Sequence, residues 1–215
     1  ILLIFSAIEN YSESSEIRYV GGCIRKILNN KILILDGAMG TMIQDYKLDE
    51  NGYRGEKFSD YTSSLKGNND LLSITQPKII EDIHFQYLEA GSDIIETNTF
   101  NANSISQSDY DLEDYVFEMN FQSAQIAKNA VKRFNKNNKS EKFVCGSIGP
   151  TNRTASLSPK VEDLSFRNVT FDELYNAYYE QVDGLVKGGV DVLMIETIFD
   201  TLNCKAAIIA INDYL

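Results

Sequence analysis

The sequence predicts an α/β fold built on parallel strands, and three observations carry that prediction. Four short apolar runs rich in Ile, Val and Leu recur, at Ile32 to Leu35, Asp93 to Thr97, Phe143 to Ile148 and Val190 to Glu196. Each ends in a polar or glycine cluster, and each is followed by a segment with helical periodicity instead of alternation. Runs that are apolar on both faces suit parallel strands covered by helices, which gives the order β-α-β-α-β-α-β-α.

The apolar opening Ile1-Leu2-Leu3-Ile4-Phe5 is too short to span a bilayer and lacks the charged n-region and cleavage site of a signal peptide. The first strand runs into Asp36-Gly37-Ala38-Met39-Gly40-Thr41, a G-x-x-G turn expected to lead into a short helix. A long polar stretch follows from 46 to 70. Thr75 and Pro77 then open a helix carrying Ile80, Ile83 and Tyr87 on one face, stopped by Gly91. Before the third strand, Phe117, Phe121, Ala124, Val131 and Phe134 form a stripe that can lie on a sheet. Asn135 to Lys142 reads as a solvated connection. A second long polar stretch runs from Gly149 to Asn168. Both long stretches follow a strand on the carboxyl side of the sheet, where such loops are usually functional or disordered. Thr170 and Glu173 make a capping box for a helix with Leu174, Tyr178, Val182 and Leu185, ended by Gly188-Gly189. The last helix, around Asn203 to Ile211, runs to Leu215 without a cap, and the chain has no initiator Met. Both ends read as cut, so a fragment is expected.

The 215 residues carry 20 basic and 31 acidic side chains, a formal net charge of −11, which argues against a nucleic-acid or anionic-membrane surface. Hydrophobic residues at 43% and charged residues at 24% fit a soluble chain that buries a core and exclude disordered and collagen-like classes. Cys23, Cys145 and Cys204 are odd in number and widely spaced, so neither a disulfide framework nor a zinc ribbon is encoded. A reducing, cytoplasmic compartment is the expectation.

Chemistry concentrates at strand ends. Glycines in the 37–40 turn let backbone N–H groups approach a ligand, and a following helix would favour an anion such as a carboxylate. The turn is neither G-x-G-x-x-G nor a P-loop, so nucleotide readings are disfavoured, and a plain βα turn is the simpler alternative. The pattern Ile94-Ile95-Glu96-Thr97 recurs as Met194-Ile195-Glu196-Thr197. Asp36, Glu96 and Glu196 at carboxyl strand ends could together hold a cationic amine, or each could merely cap a loop or helix. The lone His84 is expected at a helix surface or boundary and not as a general base. Cys145 is expected in the core, and the sequon Asn152-Arg153-Thr154 is discounted without a secretory signal.

Taken together, the segments 34–44 (Ile-Leu-Asp-Gly-Ala-Met-Gly-Thr-Met-Ile-Gln), 67–72 (Gly-Asn-Asn-Asp-Leu-Leu), 96–101 (Glu-Thr-Asn-Thr-Phe-Asn), 149–159 (Gly-Pro-Thr-Asn-Arg-Thr-Ala-Ser-Leu-Ser-Pro) and 195–203 (Ile-Glu-Thr-Ile-Phe-Asp-Thr-Leu-Asn) resemble a known family. They are similar to the homocysteine-binding domain of cobalamin-dependent methionine synthases, within the homocysteine S-methyltransferases. Asp-Gly-x-x-Gly and Glu-Thr are general to those methyltransferases, and the long Gly-Pro-Thr-Asn-Arg-Thr-Ala-Ser run points to the cobalamin-dependent branch. The resemblance covers roughly residues 25–215, leaving 1–24 as an N-terminal extension of unknown role.

This resemblance implies a TIM-type (β/α)8 barrel, of which the chain would carry about the first four βα units. It also implies methyl transfer from methylcobalamin to a zinc-activated homocysteine thiolate, giving methionine. By position, Asp36 and Glu196 match family residues near the substrate amino group, and the backbone of Gly37, Ala38, Met39 and Gly40 lies near its carboxylate. Asn98 is a further candidate. The family's zinc cysteines would lie beyond Leu215, which leaves no metal ligands in this chain; Cys204 and the Gly21-Gly22-Cys23 sequence are decoys. The folate donor 5-methyltetrahydrofolate, cobalamin and S-adenosylmethionine would be handled by further domains, and no nucleic-acid or membrane partner is implied. The alternatives are a betaine- or S-methylmethionine-dependent homocysteine methyltransferase, or a non-catalytic half-barrel.

Overall fold

Three of the four apolar runs become ladder-paired parallel strands, with the intervening segments wound into helices against one face. The structure is a computed structural model that describes residues 4–7, 9–10, 18–19, 24, 26–138 and 140–215. Its strands are β1 (Ile4–Ala7), β2 (Glu9–Asn10), β3 (Arg18–Tyr19), β4 (Ile94–Glu96), β5 (Phe143–Ile148) and β6 (Val192–Ile195). The α-helices are α1 (Met39–Gln44), α2 (Glu50–Arg54), α3 (Leu72–Thr75), α4 (Pro77–Ala90), α5 (Ser104–Gln107), α6 (Val116–Asn135), α7 (Phe171–Gly188) and α8 (Thr201–Tyr214). The Gly21-Gly22-Cys23 sequence lies outside the described residues.

The main sheet has the order β1-β6-β5-β4, with β4, β5 and β6 mutually parallel. Strand β1 lies antiparallel on the free side of β6, Ile4 opposite Ile195 and Ala7 opposite Val192. Strands β2 and β3 form a separate antiparallel pair. Thus part of the 1–24 extension is folded onto the sheet, and the described residues make an open sheet and not a closed barrel.

The expected strand at Ile32 to Leu35 needs correction. It aligns with β4 through one parallel bridge, Leu35 to Ile94, with the Asp93 N–H donating to Ile34 O at 2.7 Å and the Asp36 N–H to Ile94 O at 2.9 Å. Its other side has no neighbour among the described residues, and Ile32 and Ile34 stay 87% and 57% exposed. With apolar side chains left in water, the segment forms an isolated bridge where a ladder was expected. The polar stretch 46–70 also departs from a plain loop, because Asp49 caps α2 by accepting from the Gly52 N–H at 2.8 Å.

The two faces of the sheet separate cleanly. Ile95, Val144, Ile148, Leu193 and Ile195 pack with α6, α7 and α8 side chains into the largest apolar cluster. Ile94, Phe143, Cys145, Val192 and Met194 face the other way, into a smaller cluster with Ile24, Leu33 and Leu35. This alternation is the period of two expected of strands. Glu96 extends the second face beyond Ile94, Ser147 beyond Cys145 and Glu196 beyond Met194, so polar groups crown its carboxyl end.

Helix boundaries follow the sequence signals. Pro77 starts α4 and Gly91 ends it at φ 113°. Both halves of the Thr170–Glu173 capping box form at the start of α7, and Gly189 closes that helix at φ 93°. Of the expected α6 stripe, Ala124 and Val131 are buried, but Phe117 and Phe121 are not. Its buried face is Val116, Met119, Asn120, Ser123, Ala124, Ala127, Ala130 and Val131, whereas Phe117 and Phe121 are half-buried and stack on each other with centroids 6.0 Å apart. The cause is a close helix crossing. A Cβ on Gly184 would come within 2.7 Å of Asn120 Cβ, and one on Gly188 within 2.5 Å of Ala124 Cβ. His84 was expected at a surface or boundary but is 0% exposed, with neither ring nitrogen hydrogen-bonded. Burial drives its pKa down to about 4, which keeps the imidazole neutral.

Candidate functional site

The carboxyl ends of the strands and the 36–40 turn enclose a cavity of about 350 Å³. Its lining includes Asp36, Gly37, Ala38, Met39, Gly40, Asn98 and Glu196, every residue singled out from the sequence, together with Glu96, Thr97, Thr99, Phe100 and Ser147. The sheet's alternation explains the gathering, since Glu96, Ser147 and Glu196 occupy the same face at successive strand ends.

The turn is held from behind. Tyr87 Oη donates to Ala38 O at 3.3 Å, and a Cβ on Gly37 would sit 3.1 Å from Tyr87 Oη, so the turn packs against α4 as glycine allows. The N–H groups of Gly37, Ala38, Met39 and Gly40 donate to no protein acceptor among the described residues. They remain available to an anionic group.

Three carboxyls share the cavity wall. Asp36 Oδ2 accepts from the Glu96 N–H at 3.1 Å, while Asp36 Oδ1 is buried without a partner. Burial, and secondarily the charge of Glu196, raise the Asp36 pKa to about 7. Burial, then Glu196, then Asp36 raise that of Glu96 to about 8. Glu196 Oε1 accepts a short hydrogen bond from Ser147 Oγ, and the Glu196 N–H donates to Ile148 O at 3.0 Å. The chain leaves β6 sharply, through Thr197 at φ 58°, an unusual conformation for a β-branched residue and a form of strain typical of functional sites.

Asn98 has a different part from a simple ligand group. Its Nδ2 donates to Asn69 O at 2.7 Å and to Ser73 Oγ at 3.3 Å, and its backbone N–H donates to Ser123 Oγ at 2.8 Å. The amide therefore clamps the 67–73 segment to the strand end, and only its oxygen is left for the cavity. Beneath it, Thr97 Oγ1 accepts from the Ser147 N–H at 3.0 Å and lies 2.7 Å from Thr99 Oγ1, which donates to Ser147 O at 2.7 Å. Because the Thr99 hydroxyl proton is used on Ser147 O, Thr97 is the donor between the two threonines. Gln181 on α7 reinforces this ring by donating to Thr99 O at 2.8 Å. The ring fixes the β4 and β5 ends relative to each other.

The long 149–168 loop is anchored at two points. Gly149 comes so near Phe100 O that an added Cβ would lie 2.2 Å from it. Asp200, the N-cap of α8, accepts from the Ser156 N–H at 3.0 Å and from the Ser156 hydroxyl, while also accepting from the Leu202 and Asn203 N–H groups. Against the upward push of burial, these bonds hold the Asp200 carboxyl below its usual range.

Sequence reasoning offered Glu96 with Asp36 and Glu196 as a hold for a cationic amine, although the resemblance singled out only Asp36 and Glu196, and it missed Ser147. The signal for both was parity, since each lies two residues beyond a buried member of the inward face. The lining offers carboxyl, hydroxyl and amide groups but no thiol or imidazole. Cys145 and Cys204 sit in the two apolar clusters. Among the described residues no group of three or more His, Cys, Asp or Glu is placed to hold a metal ion. The residues present do not fit a zinc site.

Comparison with known proteins adds the family. A family model described as homocysteine S-methyltransferase matches residues 33–214. Among solved structures, the oxidized form of the homocysteine methyltransferase MmuM from Escherichia coli superposes with a TM-score of 0.69 at 20% identity, covering 89% of this chain and 62% of that one. The metallated form gives 0.67 at 20% identity over the same shares, and the apo form 0.62 at 18% over 89% and 59%. The chain thus spans less than two thirds of the length of these structures. At such identity the likeness is one of fold.

Proposed function

Because the chain belongs to the homocysteine S-methyltransferase family, we propose that residues 25–215 are the N-terminal part of a homocysteine-binding domain in a cobalamin-dependent methionine synthase. The observation that carries this reading is the cavity where Asp36, Glu196 and Asn98 meet the 37–40 turn. An amino acid substrate needs an anionic wall for its ammonium and free N–H donors for its carboxylate, and both are supplied within one enclosed space. Asp36, Glu96 and Glu196 form the wall, Asn98 adds an acceptor oxygen, and the four turn N–H groups take the carboxylate. Placing a cation among three carboxyls favours their ionised forms, so substrate binding would release protons from Asp36 and Glu96.

Thiol activation lies elsewhere on this reading. Zinc and methylcobalamin would be contributed by other parts of the parent protein, as would sites for 5-methyltetrahydrofolate and S-adenosylmethionine. The chain's own contribution is to bind and orient homocysteine with its sulfur directed out of the carboxyl wall. The 149–159 run supports the cobalamin-dependent branch, whereas the likeness in fold to MmuM supports a second reading, a homocysteine methyltransferase using betaine or S-methylmethionine. No helix among the described residues is long and apolar enough to cross a membrane, and the free thiols of Cys145 and Cys204 suit a cytoplasmic setting.

The test is methionine formation by the full-length protein with methylcobalamin, betaine or S-methylmethionine as donor. The expected result is methylation of homocysteine from methylcobalamin, with Asp36→Asn and Glu196→Gln each raising KM for homocysteine at least tenfold. Methylation from betaine or S-methylmethionine instead would move the assignment to the second reading, and unchanged KM in both variants would remove the proposed binding mode.

A further inference from the structure

Strand β5 lies between β4 and β6, so the carboxyl end of its inward face stands between the two glutamates that the Ile-Glu-Thr sequences supply. The residue there is Ser147, 2% exposed and part of the cavity lining. The two carboxyls it separates are not treated alike. Ser147 Oγ donates to Glu196 Oε1, whereas no donor among the described residues reaches the Glu96 carboxyl. The backbone of Ser147 is fixed without help from that hydroxyl. Its N–H donates to Thr97 Oγ1 at 3.0 Å, and its carbonyl accepts from Thr99 Oγ1 at 2.7 Å and from Gln181 Nε2 at 3.4 Å. Side chains from the segment after β4 and from α7 thus hold both backbone groups of one residue. They make a stiff mount for a side chain with a single heavy-atom torsion.

Glu196 has no comparable support of its own. Its N–H reaches Ile148 O at 3.0 Å, but the chain turns away directly after it, through Thr197 at φ 58°. The Ser147 hydroxyl is the one protein donor to the Glu196 carboxyl among the described residues. A glutamate side chain has several soft torsions, so an unheld carboxylate at this point would spread over several rotamers, and a ligand would have to order it on binding. The hydroxyl bond removes that freedom beforehand. It engages Oε1 and leaves Oε2 without a protein donor. The charge of Glu196 is also one of the causes that raise Asp36 to about 7 and Glu96 to about 8. The three acids therefore divide into one that supplies charge and two that hold protons up to near neutrality.

We infer that Ser147 is a positioning residue for the amine site: its hydroxyl holds the Glu196 carboxylate in one rotamer at the end of β6, with Oε2 left for the substrate's ammonium. Ser147 acts through Glu196 and does not itself take the ligand, because its one hydroxyl proton is already used. The inference rests on the homocysteine reading of the cavity and adds to it the residue that sets the geometry of the cation's partner. It also gives the ring of Thr97, Thr99 and Gln181 a part in binding, since that ring aims the hydroxyl. Both backbone bonds of Ser147 would survive its replacement by alanine, so the hydroxyl can be removed without loosening the ring.

The experiment measures homocysteine Kd by titration calorimetry, with the thermal midpoint as a check on folding, in the full-length protein. The variants are Ser147→Ala, Ser147→Thr, Glu196→Gln and the double variant Ser147→Ala with Glu196→Gln. Ser147→Ala should fold normally and raise Kd about tenfold, the size expected for losing a hydrogen bond to a charged group. Ser147→Thr keeps the hydroxyl and should restore most of the affinity. In the Glu196→Gln background, Ser147→Ala should add no more than about a twofold loss, because no charge is left to place. An unchanged Kd in Ser147→Ala beside a weakened Glu196→Gln would overturn the positioning role and leave the homocysteine reading standing. Losses that multiply in the double variant, or a threonine variant as weak as the alanine one, would overturn it equally. Unchanged Kd in Glu196→Gln, or no homocysteine binding by the wild type, would remove the reading and this inference with it.

Discussion

Replacing Glu96 by Gln should stabilise the protein, and increasingly so as pH rises. Glu96 ionises near 8 in the folded chain, raised by burial and by Glu196 and Asp36, against 4.5 for an ordinary glutamate. Between those two values the folded state holds a proton that the unfolded state has released. Stability therefore falls as pH rises across that window, and at pH 7 the cost is at most about 3 kcal/mol. Glutamine keeps the shape and hydrogen-bonding capacity of the protonated acid but has nothing to titrate. Urea unfolding of wild type and Glu96→Gln at pH 5, 6, 7 and 8 measures the gap directly. At pH 5 the two should agree within about 1 kcal/mol, and the variant should gain steadily above that, towards the full figure near neutrality. A gap that stays constant from pH 5 to 8 would show that Glu96 is ordinary and that the three carboxyls are not electrostatically coupled. The same substitution should weaken homocysteine binding, since it removes one wall of the amine site; a stabilising change that costs function is the usual sign of a binding residue.

The remaining expectations are more compact. Homocysteine affinity, measured by calorimetry, should strengthen from pH 6 to 8 as Asp36 and Glu96, near 7 and 8, give up their protons to a cationic ligand. Asp36→Asn should flatten that profile. His84, held neutral by burial near 4 against its usual 6.5, makes the folded state lose stability as pH falls from 6.5 through 4, because only the unfolded chain takes up the proton. His84→Leu should remove that contribution, read as a difference in thermal midpoint between wild type and variant that moves against the wild type from pH 7 to pH 5. Gly188→Ala should destabilise by about 1–2 kcal/mol in urea despite alanine's better helix propensity, because its Cβ would press within 2.5 Å of Ala124 Cβ; a stabilised variant would mean the two helices separate easily.

Strands β4, β5 and β6 were legible because each run is apolar on both faces and finds cover on both. The capping box of α7 and the glycine stops were equally plain, since their chemistry is local. Ile32 to Leu35 has the same composition and became only a bridge at Leu35, because composition does not say what a run will pair with. The antiparallel seat of β1 was not legible at all. The α6 stripe was only partly legible for a related reason: large aromatics dominate a periodicity, whereas the close contact is made by Asn120 against Gly184 and Ala124 against Gly188. The cavity residues Asp36, Gly37 to Gly40, Asn98 and Glu196 were found through motifs, and the structure brings them to one cavity. The pairing of Ser147 with Glu196 was hidden, because a serine inside an apolar run gives no signal until strand parity is known.

The seat of β1 on β6 bears on how the chain reaches its final state. Ile4 and its partner Ile195 are 191 residues apart in the chain. No local order can form that pairing early, so β1 has no mate until β6 has been made. Contacts of such separation are slow to form, and an unpaired strand waiting for one is exposed to other chains. Refolding from denaturant should accordingly end in a slow step that fixes the N-terminal segment, after the helices and the three parallel strands are in place.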